Sequence, residues 1–277
     1  MVPVASDNQT SLERVLTKAR AENRAALIGY IPAGFPTIEG CKAAIDVLIE
    51  SGFDAVEIGY PYSDPVMDGP IIQHAADIAL RNGVKAKDVM ATLNHATSHG
   101  VAAVVMTYWN PIEQFGADQF AYAIAQAGGS GVITPDLSFE QAQPWKVSAT
   151  QAGINTIFVV APSTTNERLQ KVTGITSGFI YAASLMGVTG TRNSISDSAR
   201  ELVARIRRVS TLPIAVGLGV STPDQAREVA TYADGVIIGS ALIKELLDKD
   251  LESGLQSLRV LAESLVRATK SAVRGAQ

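Results

Sequence analysis

The sequence predicts a single α/β domain built as a closed (β/α)8 barrel with an extra N-terminal helix, on three observations. Short β-branched apolar runs begin near Ala25, Asp54, Ala102, Ser130, Asn155, Gly178, Leu212 and Asp234. Stretches with helical periodicity separate them, and strand–helix alternation implies parallel strands joined by crossovers. The runs recur every roughly 22 to 35 residues, with one longer interval after the second, and the chain length of 277 suits one such barrel of about 250 residues. A doubly wound open sheet is the rival. It commonly carries a Gly-rich turn after its first strand, whereas here that strand ends in Pro32-Ala33-Gly34 with no GxGxxG. The (β/α)8 TIM barrel is therefore preferred.

In chain order, Ser11 to Asn23 reads as the extra helix, with Ser11 as its N-cap, placed to cover the barrel floor. Thr37–Ser51, Asp118–Gln126, Ser196–Val209 and Pro223–Thr231 are crossover helices by their apolar periodicity. No Pro/Ser-rich linker or charge block interrupts the chain, so residues 1–277 form one domain. About 1–10 and 270–277 are expected to be flexible ends.

Composition narrows the function. Hydrophobic residues make up 47% and charged residues 18%, enough apolar side chain for a large core. The net charge of -4 gives no overall basic field to collect nucleic acid or anionic lipid. A polar N-terminus, no apolar run near the ~20 residues that span a bilayer, and a single cysteine, Cys41, point to a cytoplasmic protein without disulfides.

Barrel chemistry sits at the C-terminal ends of the strands. No lysine falls in a strand-like run, which argues against a Schiff-base aldolase. His74, His95 and His99 fall on helical stretches, and no His/Cys/carboxylate cluster has metal-ligand spacing, so no metal is expected. In the run Asp54 to Pro61, alternation puts Val56, Ile58 and Tyr60 on one face and Ala55, Glu57 and Gly59 on the other. The bulkier face suits the helices, which turns Glu57 into the lumen. It is the only charged residue inside any of the eight runs. A carboxylate desolvated there has a raised pKa, as a general acid needs near neutral pH. The alternative is a structural glutamate paired to a backbone donor or a hydroxyl.

The loop after that strand, Tyr62 to Pro70, contains Asp64 and Asp68 and is stiffened by two prolines. Asp68 is placed to lie across the pocket from Glu57; for both aspartates the alternative is turn or helix capping. Three glycine turns follow the last strands: Gly187-Val188-Thr189-Gly190, Gly217-Leu218-Gly219 and Gly239-Ser240. Glycine lets backbone N–H groups approach an anion, and barrels of this kind commonly hold phosphate after strands seven and eight. Rigid, partly apolar rim segments, Tyr60 to Pro65, Tyr108-Trp109-Asn110-Pro111 and Pro135-Asp136-Leu137, have the composition of an interface. Pro61, Asp64, Tyr108, Asn110 and Asp136 are its candidates, although these segments also suit walling the pocket.

The stretch from Glu57-Ile58-Gly59 through Ser63-Asp64-Pro65-Val66-Met67-Asp68-Gly69-Pro70 to Gln73 resembles the signature of the tryptophan synthase alpha subunit family. Met106 to Pro111, Met186 to Gly190, Gly217 to Val220 and Ile238 to Ala241 match in the same order. Leu218, Tyr60 and Ser138 depart from the commonest pattern, and none of these changes touches the two carboxylates. The resemblance implies a carbon–carbon lyase that cleaves indole-3-glycerol phosphate to indole and glyceraldehyde 3-phosphate. It implies Glu57 as acid/base and Asp68 as the carboxylate at the indole N–H. Tyr181, Thr189, Gly190, Leu218, Gly219, Gly239 and Ser240 would bind substrate. It implies no cofactor in this chain and a beta subunit carrying pyridoxal phosphate as partner in an αββα complex. Another phosphate-binding barrel isomerase or synthase would share the glycine turns but not the Glu57-to-Gln73 stretch. A catalytically silent regulatory barrel would have no need of both carboxylates.

Overall fold

A computed structural model describes residues 9–183, 193–217 and 219–274. Eight parallel strands close on themselves in sequence order. They are β1 (Ala26–Pro32), β2 (Ala55–Gly59), β3 (Ala102–Met106), β4 (Gly131–Thr134), β5 (Asn155–Val160), β6 (Ile180–Ala183), β7 (Ile214–Gly217) and β8 (Gly235–Ile238). Closure is made by β8 on β1, with Ala26 opposite Gly235 and Gly29 opposite Ile238. The expected strand starts lie within two residues of those observed.

Helix α1 (Ser11–Ala21) precedes the barrel and α2 (Ile38–Ser51) joins β1 to β2. The long interval after β2 holds two helices, α3 (Pro70–Arg81) and α4 (Ala86–Ser98); the next holds α5 (Trp109–Phe115) and α6 (Ala117–Gln126). Single helices follow: α7 (Gln143–Ala152), α8 (Asn166–Ile175), α9 (Asn193–Arg207) and α10 (Pro223–Ala230). The chain ends on α11 (Ser240–Leu246) and α12 (Leu251–Lys270).

Local chemistry sets several boundaries. Helix α1 starts one residue earlier than expected, because Thr10 and not Ser11 is the N-cap. The Thr10 hydroxyl accepts from Glu13 N, and the Glu13 carboxylate accepts from Thr10 N at 2.8 Å, a reciprocal cap. Ser11 instead turns its hydroxyl to Ser130 at 2.6 Å, and Thr10 donates to Asn155 Oδ1 at 2.8 Å. Both partners stand at the N-terminal ends of β4 and β5, so α1 does cover the floor. Helix α2 begins at Thr37, whose hydroxyl accepts from Gly40 N, and stops at Gly52, whose φ of 96° ends the helix in the left-handed conformation.

Where they are described, the chain ends make specific contacts. Thr10 is tied down as above, α12 runs through Lys270, and Arg274 is buried, donating to Arg24 O and Asp234 Oδ1 at 3.0 Å each. Between these ends one apolar core fills the barrel and the layer between strands and helices. Trp145, Phe35, Phe120 and Phe179 are its largest fully buried members. Burying a large apolar side chain contributes roughly 1.5–3 kcal/mol each. Among the described residues, no helix is long and apolar enough to cross a membrane.

Candidate active site

At the C-terminal end of the barrel a cavity of about 510 Å³ opens above the strands. Its floor is made by lumenal side chains at strand ends: Tyr30 of β1, Glu57 of β2, Met106 of β3, Tyr181 of β6 and Ile237 of β8. The segment from Val66 to Ile72 makes one wall, and Gly219, Val220, Gly239 and Ser240 make another. That volume is within the ~300–1,000 Å³ usual for small-molecule sites.

Glu57 occupies the lumenal position that alternation predicted, and it is the only charged side chain within the eight strands. It is 1% exposed, and its Oε2 has no hydrogen-bonding partner among the described residues. Burial first, and the negative charge of Asp68 second, push its pKa up to about 8. Glu57 is thus protonated at neutral pH, a carboxylic acid able to donate. The alternative of a structural glutamate fixed by a backbone or hydroxyl partner finds no such partner at that oxygen. Strand registers place Glu57 opposite Tyr30 on β1 and Val104 on β3. Tyr30 and Tyr181 lie over glycines of the neighbouring strands. A Cβ at Gly59 would sit 2.2 Å from the Tyr30 hydroxyl, and one at Gly217 2.3 Å from that of Tyr181.

Asp68 lies on the wall facing Glu57, just before Gly69, the N-cap of α3. Its pKa is also raised by burial, with the Tyr108 hydroxyl pulling the other way. Two bonds hold the loop: the Tyr108 hydroxyl accepts from Met67 N at 3.0 Å, and Gln73 Nε2 donates to Asp68 O at 2.7 Å. The Tyr108 hydroxyl is itself pushed to about 12, so it stays protonated.

Of the glycine turns, Gly219, Gly239 and Ser240 line the cavity, and Gly219 has φ 120°, a conformation side-chain-bearing residues rarely adopt. Thr189, Gly190 and Leu218 lie outside the described residues. The rim candidates divide. Asp64, Asn110 and Asp136 are exposed. Asp136 accepts from Trp109 N at 2.9 and 3.1 Å, capping α5, and Asn110 Nδ2 donates to the Tyr62 hydroxyl at 3.2 Å. Pro61 and Tyr108 are buried in the chain itself, so they shape the rim from beneath and offer no face of their own. Tyr30, Met106, Ile72 and Ile237 line the cavity without belonging to the candidates above; a place near a strand end or, for Ile72, in the first turn of α3 is the available signal. The expectation that histidines and carboxylates do not gather needs correction: Asp46, His95 and His99 come together on the outer wall. None of the three lines this cavity.

The family model for the tryptophan synthase alpha chain matches residues 16–272. The chain belongs to the tryptophan synthase alpha chain family. A relative from Thermobifida fusca, named tryptophan synthase alpha chain, is 51% identical over 96% of this chain and 100% of its own length. One of the same name from Streptomyces coelicolor is 49% identical over 96% of this chain and 98% of its own. A chain of Mycobacterium tuberculosis tryptophan synthase superposes with a TM-score of 0.87 at 48% identity, covering 95% of this chain and 99% of that one. The subunit alpha of Legionella pneumophila superposes at 0.85 with 31% identity, covering 94% and 98%. The chain is accordingly a carbon–carbon lyase that cleaves indole-3-glycerol phosphate in tryptophan biosynthesis. It works with a beta subunit, and pyridoxal phosphate belongs to that subunit and not to this chain.

Proposed function

We propose that Glu57 and Asp68 divide the chemistry of this cleavage between them. Breaking the bond between indole C3 and the glycerol carbon requires a proton at C3, which leaves the ring short of electrons and its nitrogen positive. The carbinol hydroxyl must then lose its proton, so that its oxygen forms the aldehyde while the C–C electron pair returns to the ring. Glu57, protonated at neutral pH by its burial, delivers the C3 proton. The carboxylate so formed can accept the hydroxyl proton, which restores the starting state with no net proton change. Asp68, held by Tyr108 and Gln73, balances the positive indole nitrogen. Indole lies against Tyr30, Met106, Ile72 and Tyr181, and the phosphate lies at Gly219, Gly239 and Ser240.

The observation that carries this reading is the unpartnered Glu57 oxygen in the cavity floor, because a buried unsatisfied carboxyl is costly and is kept where it does work. The exposed rim at Asp64, Asn110 and Asp136 is the proposed docking edge for the beta subunit, and the cytoplasm the proposed compartment. Indole release by wild type and Glu57→Gln, each with and without the beta subunit, tests the assignment. Substantial release by the folded variant would overturn it. Docking predicts faster release when the beta subunit is titrated in, and no change would remove the rim from the interface.

A further inference from the structure

Helix α4 carries His95 within its last turn and His99 as its C-cap. Four residues apart, they share one face of the helix, and their rings stand 4.4 Å apart between centroids, tilted by 42°. Asp46 of α2 meets them from the neighbouring helix, with its Oδ1 2.7 Å from His95 Nε2. One ligand atom from each of the three residues lies within 4.8 Å of the others. His99 Nδ1 is 2.7 Å from His95 O, and a nitrogen facing a carbonyl oxygen must carry the proton. That bond therefore leaves Nε2 as the lone-pair nitrogen of His99, in the way outer hydrogen bonds commonly fix a ligating histidine. The His95 and Asp46 side chains are 20% and 38% exposed, open enough for an ion to reach from solution.

We propose that Asp46, His95 and His99 form a divalent transition-metal site of the zinc class on the outer wall of the barrel. Two imidazoles and one carboxylate suit zinc, copper or nickel and not magnesium or calcium, which prefer all-oxygen sets. Ligand atoms about 2.0–2.1 Å from a tetrahedral ion stand about 3.3 Å apart. The ion thus takes the place of the proton shared by His95 and Asp46, and small side-chain rotations draw His99 in. A fourth position is left to water. The site bolts α2 to α4 near the N-terminal end of β3, away from Glu57, so metal binding raises the melting temperature and leaves indole release unchanged.

The test is calorimetric titration of chelator-stripped full-length protein with zinc, with cobalt substitution read by its visible absorption. The expected result is one ion per chain and a higher melting temperature. His99→Ala should weaken zinc binding at least about tenfold and remove the thermal shift, with indole release as in wild type. Asp46→Asn, which keeps the side chain's shape, should weaken binding in the same direction. His74→Ala, removing the one histidine outside the cluster, should bind zinc as wild type does. Absence of binding with zinc in large excess, or undiminished binding by His99→Ala, would overturn the proposal.

Discussion

Glu57 and Asp234 are equally buried, each 1% exposed, and their chemistry is opposite. Glu57 sits within β2 facing the cavity, with an unpartnered oxygen and a pKa pushed up to about 8. Asp234 sits just before β8, at the floor of the barrel. Burial would raise its pKa too, but hydrogen bonds from Arg20 and from Ile214 N, with the charges of Arg207 and Arg20, bring it down to about 2. Its two oxygens accept from Arg20, Arg207, Arg274 and Ile214 N, all at 2.9 to 3.1 Å. Arg20 comes from α1, Arg207 from α9 and Arg274 from beyond α12, so this one carboxylate fastens three distant parts of the chain. Burial alone thus does not decide what a carboxylate does; the donors around it do. The pair separates the barrel into an end that reacts and an end that holds.

Exchanging charge for shape at each site should break the molecule in different ways. Glu57→Gln should lower indole release by on the order of 10³-fold, within the usual range for a lost acid/base group, with no fall in melting temperature. Asp234→Ala should do the reverse. Removing one partner of a buried ion network costs about 3–5 kcal/mol, while turnover per folded molecule stays near that of wild type. Thermal melts and burst-corrected turnover on both variants decide it, and a swap of the two phenotypes would undo the division. Asp68→Asn sharpens the upper half of the comparison. It keeps the loop but removes the negative charge proposed to balance the indole nitrogen, so turnover should fall more than tenfold, about 1.4 kcal/mol of barrier. A smaller loss would make Asp68 a turn residue.

The same two groups set opposite flanks of the stability–pH curve. The folded pKa of Glu57 lies above its ordinary 4.5, so the stability tied to its proton is complete below pH 4.5 and is lost as pH rises through about 8. The folded pKa of Asp234 lies below its ordinary 3.8, so its contribution is complete above pH 3.8 and is lost as pH falls through about 2. Melting temperatures across pH should therefore show Glu57→Gln gaining on wild type toward pH 9, whereas Asp234→Asn loses its deficit toward pH 2. Parallel curves at either end would contradict the assigned cause.

The two regions also differ in how far the sequence reveals them. Glu57 was legible because a strand imposes period two, and one charge in an apolar run has few explanations. The barrel was legible for the same reason, repeated eight times. The role of Asp234 was not, because its arginine partners stand 214, 27 and 40 residues away and no local spacing links them. The metal-ligand cluster escaped for the same cause: the His95–His99 spacing is local, but Asp46 arrives from another helix. Tyr108 was legible as an aromatic near the mouth, yet its direction depends on the packing of Tyr62, whose ring lies 5.3 Å from its own.

Tyr108 offers the smallest effect and the finest resolution of the reacting end. Its hydroxyl accepts from Met67 N at 3.0 Å and, kept protonated by burial, borders the Asp68 carboxylate. It touches the loop that carries Asp68 and does not line the cavity itself. Tyr108→Phe removes the bond from Met67 N, of ordinary strength at about 0.5–1.5 kcal/mol, together with the hydroxyl's hydrogen bond to the Asp68 carboxylate, and leaves the ring packed against Tyr62. The loop should then sample positions in which Asp68 is turned away from the place proposed for it at the indole nitrogen. A loss of about tenfold or less in kcat/KM is expected, with the melting temperature nearly unchanged, and binding the beta subunit should restore part of it by pressing the loop closed. Steady-state indole release with and without that subunit measures both quantities. If Tyr108→Phe lost as much as Asp68→Asn and the beta subunit recovered none of it, the hydroxyl would belong to the proton transfers and not to the support of the loop.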